Sequence, residues 1–105
     1  MTIEQARRLL AYEERLDELL AEVAHVLGFQ ADEIAAPHKP QHIVYARAVF
    51  FHLARKIDGV SLSQIAAKVS RDHSVVVYAL AKIDNGDAGY CMALQKYNDL
   101  RDASG

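Results

Sequence analysis

One cysteine, two prolines, five glycines and no tryptophan occur in this chain of 105 residues. A lone cysteine, Cys91, cannot close an internal disulfide, so the fold is not a disulfide scaffold, and the thiol suits a reducing compartment as a small apolar side chain. So few prolines and glycines leave long stretches without a helix breaker. Alternation of period two is almost absent, which argues against strands. No apolar run approaches the roughly 20 residues of a membrane span, and the N-terminal segment is charged and amphipathic, unlike a secretory leader. No G-x-x-x-x-G-K-[ST] string occurs, which excludes a phosphate loop of that kind. What remains is an ordinary globular composition, 51% hydrophobic and 25% charged, enough for one modest core in a single domain over residues 1–105.

The net charge of −2 gives little reason to expect a polyanionic partner, but the charge is segregated. Residues 1–37 hold three basic and eight acidic residues, net −5. Residues 38–83 hold seven basic (Lys39, Arg47, Arg55, Lys56, Lys68, Arg71, Lys82) and two acidic (Asp58, Asp72), net +5. Residues 84–105 hold two basic and four acidic, net −2. A basic face on an acidic molecule is therefore expected.

Helical periodicity runs through the whole chain. Ile3, Ala6, Leu9, Leu10, Leu16, Leu19, Leu20, Val23, Val26 and Leu27 recur at helix spacing, which predicts one long helix over residues 2–27. Thr2 is placed to cap it and Gly28 to stop it. Its acidic face (Glu4, Glu13, Glu14, Asp17, Glu18) fits either a solvated surface or one that takes a replication protein or a second copy of the chain. A short helix is expected over Ala31–Ala35. Pro37 and Pro40 then bracket His38 and Lys39 in an extended loop, because residues before proline avoid the helical region. A third helix, residues 41–57, carries Ile43, Val44, Ala46, Val49, Phe50, Leu53, Ala54 and Ile57 and is the expected centre of the core, closed by Asp58-Gly59. Ser61 and Gln64 have capping-box spacing ahead of a short helix that turns Leu62, Ile65, Ala66 and Val69 inward and ends near Val69 or Ser70. A fifth helix over residues 72–84 buries Val76, Ala79, Leu80 and Ile83 and ends at Asn85-Gly86. Asp87 caps a last helix over residues 88–101, with Tyr90, Leu94, Tyr97 and Leu100 facing in. The fold class is all-α with about six helices.

The stretch from Ser61 to Ile83, SLSQIAAKVSRDHSVVVYALAKI, has the form of a helix-turn-helix, with the motif spanning residues 61–85. Such a motif lays its second helix in the DNA major groove and reads base edges from that helix's first turn. Here the first turn offers Arg71, Asp72, His73, Ser74 and Val75. Arginine pairs with guanine O6 and N7, and aspartate accepts from cytosine N4. Histidine and serine reach base edges or phosphate, and valine meets a thymine methyl. One face carries Asp72, Val75, Tyr78, Ala79 and Lys82. In isolation, Arg71-Asp72 would read as a helix cap and a surface ion pair; the surrounding pattern favours the reading head.

The run RDHSVVVYALAKI preceded by SLSQIA resembles the C-terminal DNA-binding domain of the bacterial replication initiator DnaA, a helix-turn-helix of the Trp-repressor-like type, over roughly residues 23–100. The resemblance implies base reading by Arg71, Asp72, His73 and Ser74, with Val75 where the family has a second threonine. It implies contacts to the DNA backbone from Arg47, Arg55, Ser61, Leu62, Tyr78 and Lys82, and places His38-Lys39 in the family's minor-groove loop. Two departures stand out. Lys68-Val69-Ser70-Arg71 is one residue shorter than the family's Gly-Gly turn, and the ATPase module is absent, so the expectation is a free-standing reading head with a longer N-terminal helix. The resemblance further implies a cytoplasmic, nucleoid-associated protein that binds double-stranded DNA in replication or its regulation. The rival expectation keeps the fold but makes it a regulatory protein-interaction module with weak DNA binding. Four to six phosphate contacts would give a log–log salt slope of about −4 to −5.

No catalytic constellation, cofactor, metal or small-molecule substrate is expected. His38 and His42 stand four apart, but Pro40 lies between them and no carboxylate or thiol assists. His25 and His52 lie in apolar stretches and read as structural residues.

Overall fold

The computed structural model describes residues 2–36 and 40–104, the side chain of residue 104 excepted. The regular elements among them are α1 (Ile3–Leu27), α2 (Ala31–Ala35), α3 (Gln41–Ala54), α4 (Leu62–Lys68), α5 (His73–Asp84) and α6 (Ala88–Ser104). Every one is a helix, as the missing period-two pattern required.

Local chemistry starts and stops them. Thr2 Oγ1 accepts from the Gln5 N–H at 3.1 Å while Gln5 Oε1 accepts from the Thr2 N–H at 2.9 Å. Ser61 and Gln64 repeat this reciprocal pair at 3.1 and 2.7 Å. Each box satisfies two N–H groups that a helix start would leave open. Asp87 Oδ1 accepts from the Tyr90 N–H at 3.3 Å and so opens α6.

α3 is the hub and packs on α1, α2, α5 and α6. It buries Ile43, Ala46, Arg47, Ala48, Val49, Phe50, Phe51 and Ala54, so it is apolar nearly all round, as a central helix must be. Leu16, Leu20, Val23 and Ala24 of α1 close one side, Val76, Ala79, Leu80 and Ile83 of α5 another, and Tyr90 and Tyr97 of α6 a third. Ile34, Ile65, Ala66 and Val69 complete the same cluster. The Tyr12 phenol lies over Gly59, where φ is 85° and any Cβ would collide with the ring oxygen. That contact seats α1 on the α3–α4 connection.

Several expectations change. α3 ends at Ala54 rather than Ile57, because Lys56 and Ile57 donate to Leu53 and Ala54 in tightened turns. α6 continues to Ser104 rather than stopping at Arg101. Leu100 is exposed, not inward. The apolar stripe of α1 outruns the core: Ile3 is 75% and Leu10 62% exposed, and Leu9 is exposed too. His25 lies on the surface and not in an apolar setting. His52 is half-buried and accepts from Arg55 Nη2 at 2.9 Å through Nδ1.

Candidate nucleic-acid interface

α4 buries Ile65 and Ala66, and α5 buries Val76, Ala79, Leu80 and Ile83. These apolar stripes fix both helices and leave their other faces to solvent. Four residues, Val69 to Asp72, join them. The Ser70 N–H donates to the Ala67 carbonyl at 3.2 Å and the Arg71 N–H to the Ala66 carbonyl at 2.9 Å. This is a Schellman closure, which needs a left-handed residue between the last helical turn and the exit. Ser70 fills that position with φ 53°, the single positive φ among the described non-glycine residues.

α5 starts immediately beyond. Asp72 stands at its N-cap position, yet its side chain makes no capping bond. Its carboxylate is exposed and lies 3.8 Å from His73 Nδ1. Ser74, Val75, Tyr78, Ala81 and Lys82 follow on the exposed or half-exposed side of α5, with Tyr78 58% exposed. Ala79, which the sequence placed both on that face and in the buried stripe, is buried with Val76, Leu80 and Ile83. The Lys82 ammonium lies 5.5 Å from the centre of the Tyr78 ring and 4.0 Å from Asp87 Oδ2.

The remaining cations are placed less simply. Arg71 is half-buried, and among the described residues no carboxylate lies in ion-pair range of it. Arg47 is only 4% exposed; its Nε donates to the Ile34 carbonyl at 3.0 Å and its Nη2 to the Ala36 carbonyl at 2.8 Å. Burial, and then the neighbouring Arg71 charge, push its pKa down. Arg55 grips Asp84 with both arms, Nη1 to Oδ2 at 3.0 Å and Nη2 to Oδ1 at 2.8 Å, and this hydrogen bonding raises its pKa. Lys68 pairs with Glu13 and, at 2.9 Å, with Asp17. Burial pulls the Lys68 pKa down, but the two carboxylates together outweigh it and leave it raised. Ser61 is occupied in its capping box, and Leu62 packs partly against the core. His38 and Lys39 fall outside the described residues.

Sequence reasoning missed three features. Val77 is exposed on α5, and the same off-stripe argument that singled out Val75 applies to it. Glu33 Oε1 accepts from the Gln30 N–H at 2.9 Å, a local pair visible in the Q-x-x-E spacing. The clamp of Lys68 onto α1 has no local signal.

Residues 16–83 match the family described as the bacterial dnaA protein helix-turn-helix. The chain belongs to that family. The match runs from the first fully buried leucine of α1 to the last buried residue of α5, so it starts earlier than the motif resemblance and leaves α6 outside. Among its relatives are the chromosomal replication initiator proteins DnaA of Streptococcus pyogenes serotypes M5 (strain Manfredo), M1 and M18 (strain MGAS8232). Each is 39% identical over 71 residues, which cover 67% of this chain and 16% of the relative. The chain thus spans about 16% of the length of the DnaA proteins it matches. No solved structure matches it. Membership of the DnaA helix-turn-helix family supports DNA binding, and the matched family is the helix-turn-helix part of DnaA. Among the described residues no helix is long and apolar enough to cross a membrane.

Proposed function

We propose that the chain binds double-stranded DNA with sequence preference, using α4, the Ser70 turn and α5, in replication initiation or its control. The observation that carries this reading is that, among the described residues, the side chains of the RDHS string have no polar partner outside the string, where Asp72 and His73 lie 3.8 Å apart. Asp72 does not cap its own helix, Arg71 meets no carboxylate among the described residues, and Ser74, Val75 and Tyr78 face outward beside them. Polar groups left without internal partners at a helix start are what a base-reading turn requires. The uncapped first turn of α5 also leaves N–H groups open to a phosphate.

Selection from a pool of random duplexes at low salt tests the reading. A recovered sequence should lose about 1–3 kcal/mol of affinity with Arg71→Ala, with relaxed preference at one base position. If no sequence is enriched, base reading is lost. The exposed Ile3, Leu9 and Leu10 of α1 would then favour the protein-interaction role.

A further inference from the structure

α1 is anchored over only part of its length. Tyr12 over Gly59, Glu13 and Asp17 on Lys68, and the buried Leu16, Leu20, Val23 and Ala24 fix its second half to the fold. Residues 3–11 form about two and a half turns ahead of that anchor, and all of them are exposed except the half-buried Ala6. The Thr2 capping box holds this projecting end helical. It carries Ile3 at 75% and Leu10 at 62% exposure.

One exposed line runs through both halves. Ile3, Arg7, Leu10, Glu14, Asp17 and Ala21 are all exposed, and their spacing alternates four and three, the spacing of a seam along which two helices pair. The seam changes character along its length. The projecting part offers Ile3, Arg7 and Leu10, and residues 3–11 carry Arg7 and Arg8 against Glu4, net +1. The anchored part offers Glu14, Asp17 and Ala21, and residues 13–22 carry Glu13, Glu14, Asp17, Glu18 and Glu22 against Arg15, net −4.

We propose that this seam pairs with the same seam of a second copy of the chain, the two α1 helices lying antiparallel about a two-fold axis. Charge selects both the occupant and its direction. In a parallel pair, Arg7, Glu14 and Asp17 would each meet their own like charge, which is repulsive. In an antiparallel pair, each basic projecting end lies along the acidic anchored half of the other copy. The register that overlaps residues 3–21 sets Arg7 beside Asp17 of the second copy, Ile3 beside its Ala21 and Leu10 on the methylenes of its Glu14. The two-fold axis repeats each pair. This overlap is about 28 Å long. Asp17 keeps its bond to Lys68 at 2.9 Å, yet 64% of its side chain is exposed and open to the arginine. The apolar end that the core leaves in water gains cover without any change of fold. Dimerisation by α1 does not depend on the DNA reading, and its test contains no DNA.

Sedimentation equilibrium of the full chain in low salt, from about 10 µM to about 1 mM, should show the mass rising from one copy towards two. Melting by circular dichroism confirms that each variant is folded. Arg7→Glu and Leu10→Gln should each weaken the dimer at least tenfold. Arg8→Glu makes the same change in net charge off the seam and should alter it less than threefold. Asp17→Lys should also weaken it, but an equimolar mixture of the Arg7→Glu and Asp17→Lys chains should dimerise again, since opposite charges then meet at both ends of the seam. A mass of one copy at every concentration overturns the pairing and leaves the face to a partner of another kind. A dimer indifferent to Arg7→Glu and Leu10→Gln, or equally weakened by Arg8→Glu, assigns association to a different surface. A mixture that stays monomeric overturns the antiparallel register.

Discussion

Ser70 occupies a position that glycine fills twice elsewhere in the chain. α1 closes with the Phe29 N–H on the Ala24 carbonyl at 2.8 Å and Gly28 at φ 83°; α5 closes with the Asp87 N–H on the Lys82 carbonyl at 2.9 Å and Gly86 at φ 79°. α4 closes in the same way around Ser70 at φ 53°. A side chain in the left-handed region costs about 1–2 kcal/mol, and the extra freedom of an unfolded glycine returns roughly 0.5–1 kcal/mol of that. Ser70→Gly should therefore stabilise the chain by about 0.5 kcal/mol and raise Tm by roughly 2–4 °C, while Ser70→Val should lower it. A Ser70→Gly variant that melts at or below the wild type would show that the turn is unstrained. In the sequence this turn is one residue short of the family's Gly-Gly pair. That Ser70 must take the left-handed conformation is not legible there, because serine carries no such signal. The capping box of Ser61 and the cap at Thr2, by contrast, were legible, since a cap and its partner lie within one turn of each other.

At the scale of elements, the ends of α3 and α5 are tied by one cluster. Arg55 donates to both oxygens of Asp84 and to Nδ1 of His52. Burial, and then the charges of Lys56 and Arg55, hold the His52 pKa below its ordinary 6.5. The hydrogen bond from Arg55 holds the exposed Asp84 carboxyl below its ordinary 3.8. Both shifts are downward in the folded state, so both contributions are lost on acidification. Above pH 6.5 His52 is largely neutral folded or unfolded and contributes no slope. Below it the unfolded chain takes up a proton that the folded chain refuses, and stability falls until the folded value is passed; the Asp84 loss follows below pH 3.8. Melting followed by circular dichroism should give a flat Tm from pH 8 to 7 and a falling one from 6.5 to 5. His52→Gln should remove part of that fall, and identical profiles for the two chains would refute the assignment. None of this was legible beforehand, because Arg55 and Asp84 lie 29 residues apart. Element boundaries were nearly all legible from periodicity, but coverage was not. Ile3, Leu9, Leu10 and Leu100 follow the helical period as faithfully as the buried residues do, and only the packing of the other helices decides which positions are covered. The burial of Arg47 was hidden for the opposite reason, since a periodicity count scores arginine as polar.

For the whole molecule, charge segregation in the sequence overstates the cations that are free to face the proposed DNA partner. Of the basic residues in 38–83, Arg55 and Lys68 are held by carboxylates and Arg47 is buried. That leaves Lys39, Lys56, Arg71 and Lys82, at most four contacts and a log–log salt slope no steeper than about −3.6, shallower than the unpaired count implies. Lys82 is the cation that one substitution can release. Asp87 Oδ2 sits 4.0 Å from its ammonium, while Asp87 Oδ1 caps α6 through the Tyr90 N–H. Asparagine caps as well as aspartate does, so Asp87→Asn removes the charge and keeps the helix start. The variant should bind selected and scrambled duplexes about two- to fivefold more tightly in 50 mM salt. The gain should shrink by 0.3 M, where the screening length is shorter than the face is wide. On the proposed reading, in which Lys82 addresses phosphate and not a base, the ratio between the two duplexes should not move. Asp102→Asn makes the same change in net charge at the far end of α6, about 22 Å along the helix from Asp87. It should leave both affinities unchanged if the interface is the α4–α5 face. Equal gains from the two substitutions would mean that only the net charge of the molecule matters, and would remove Lys82 from the interface.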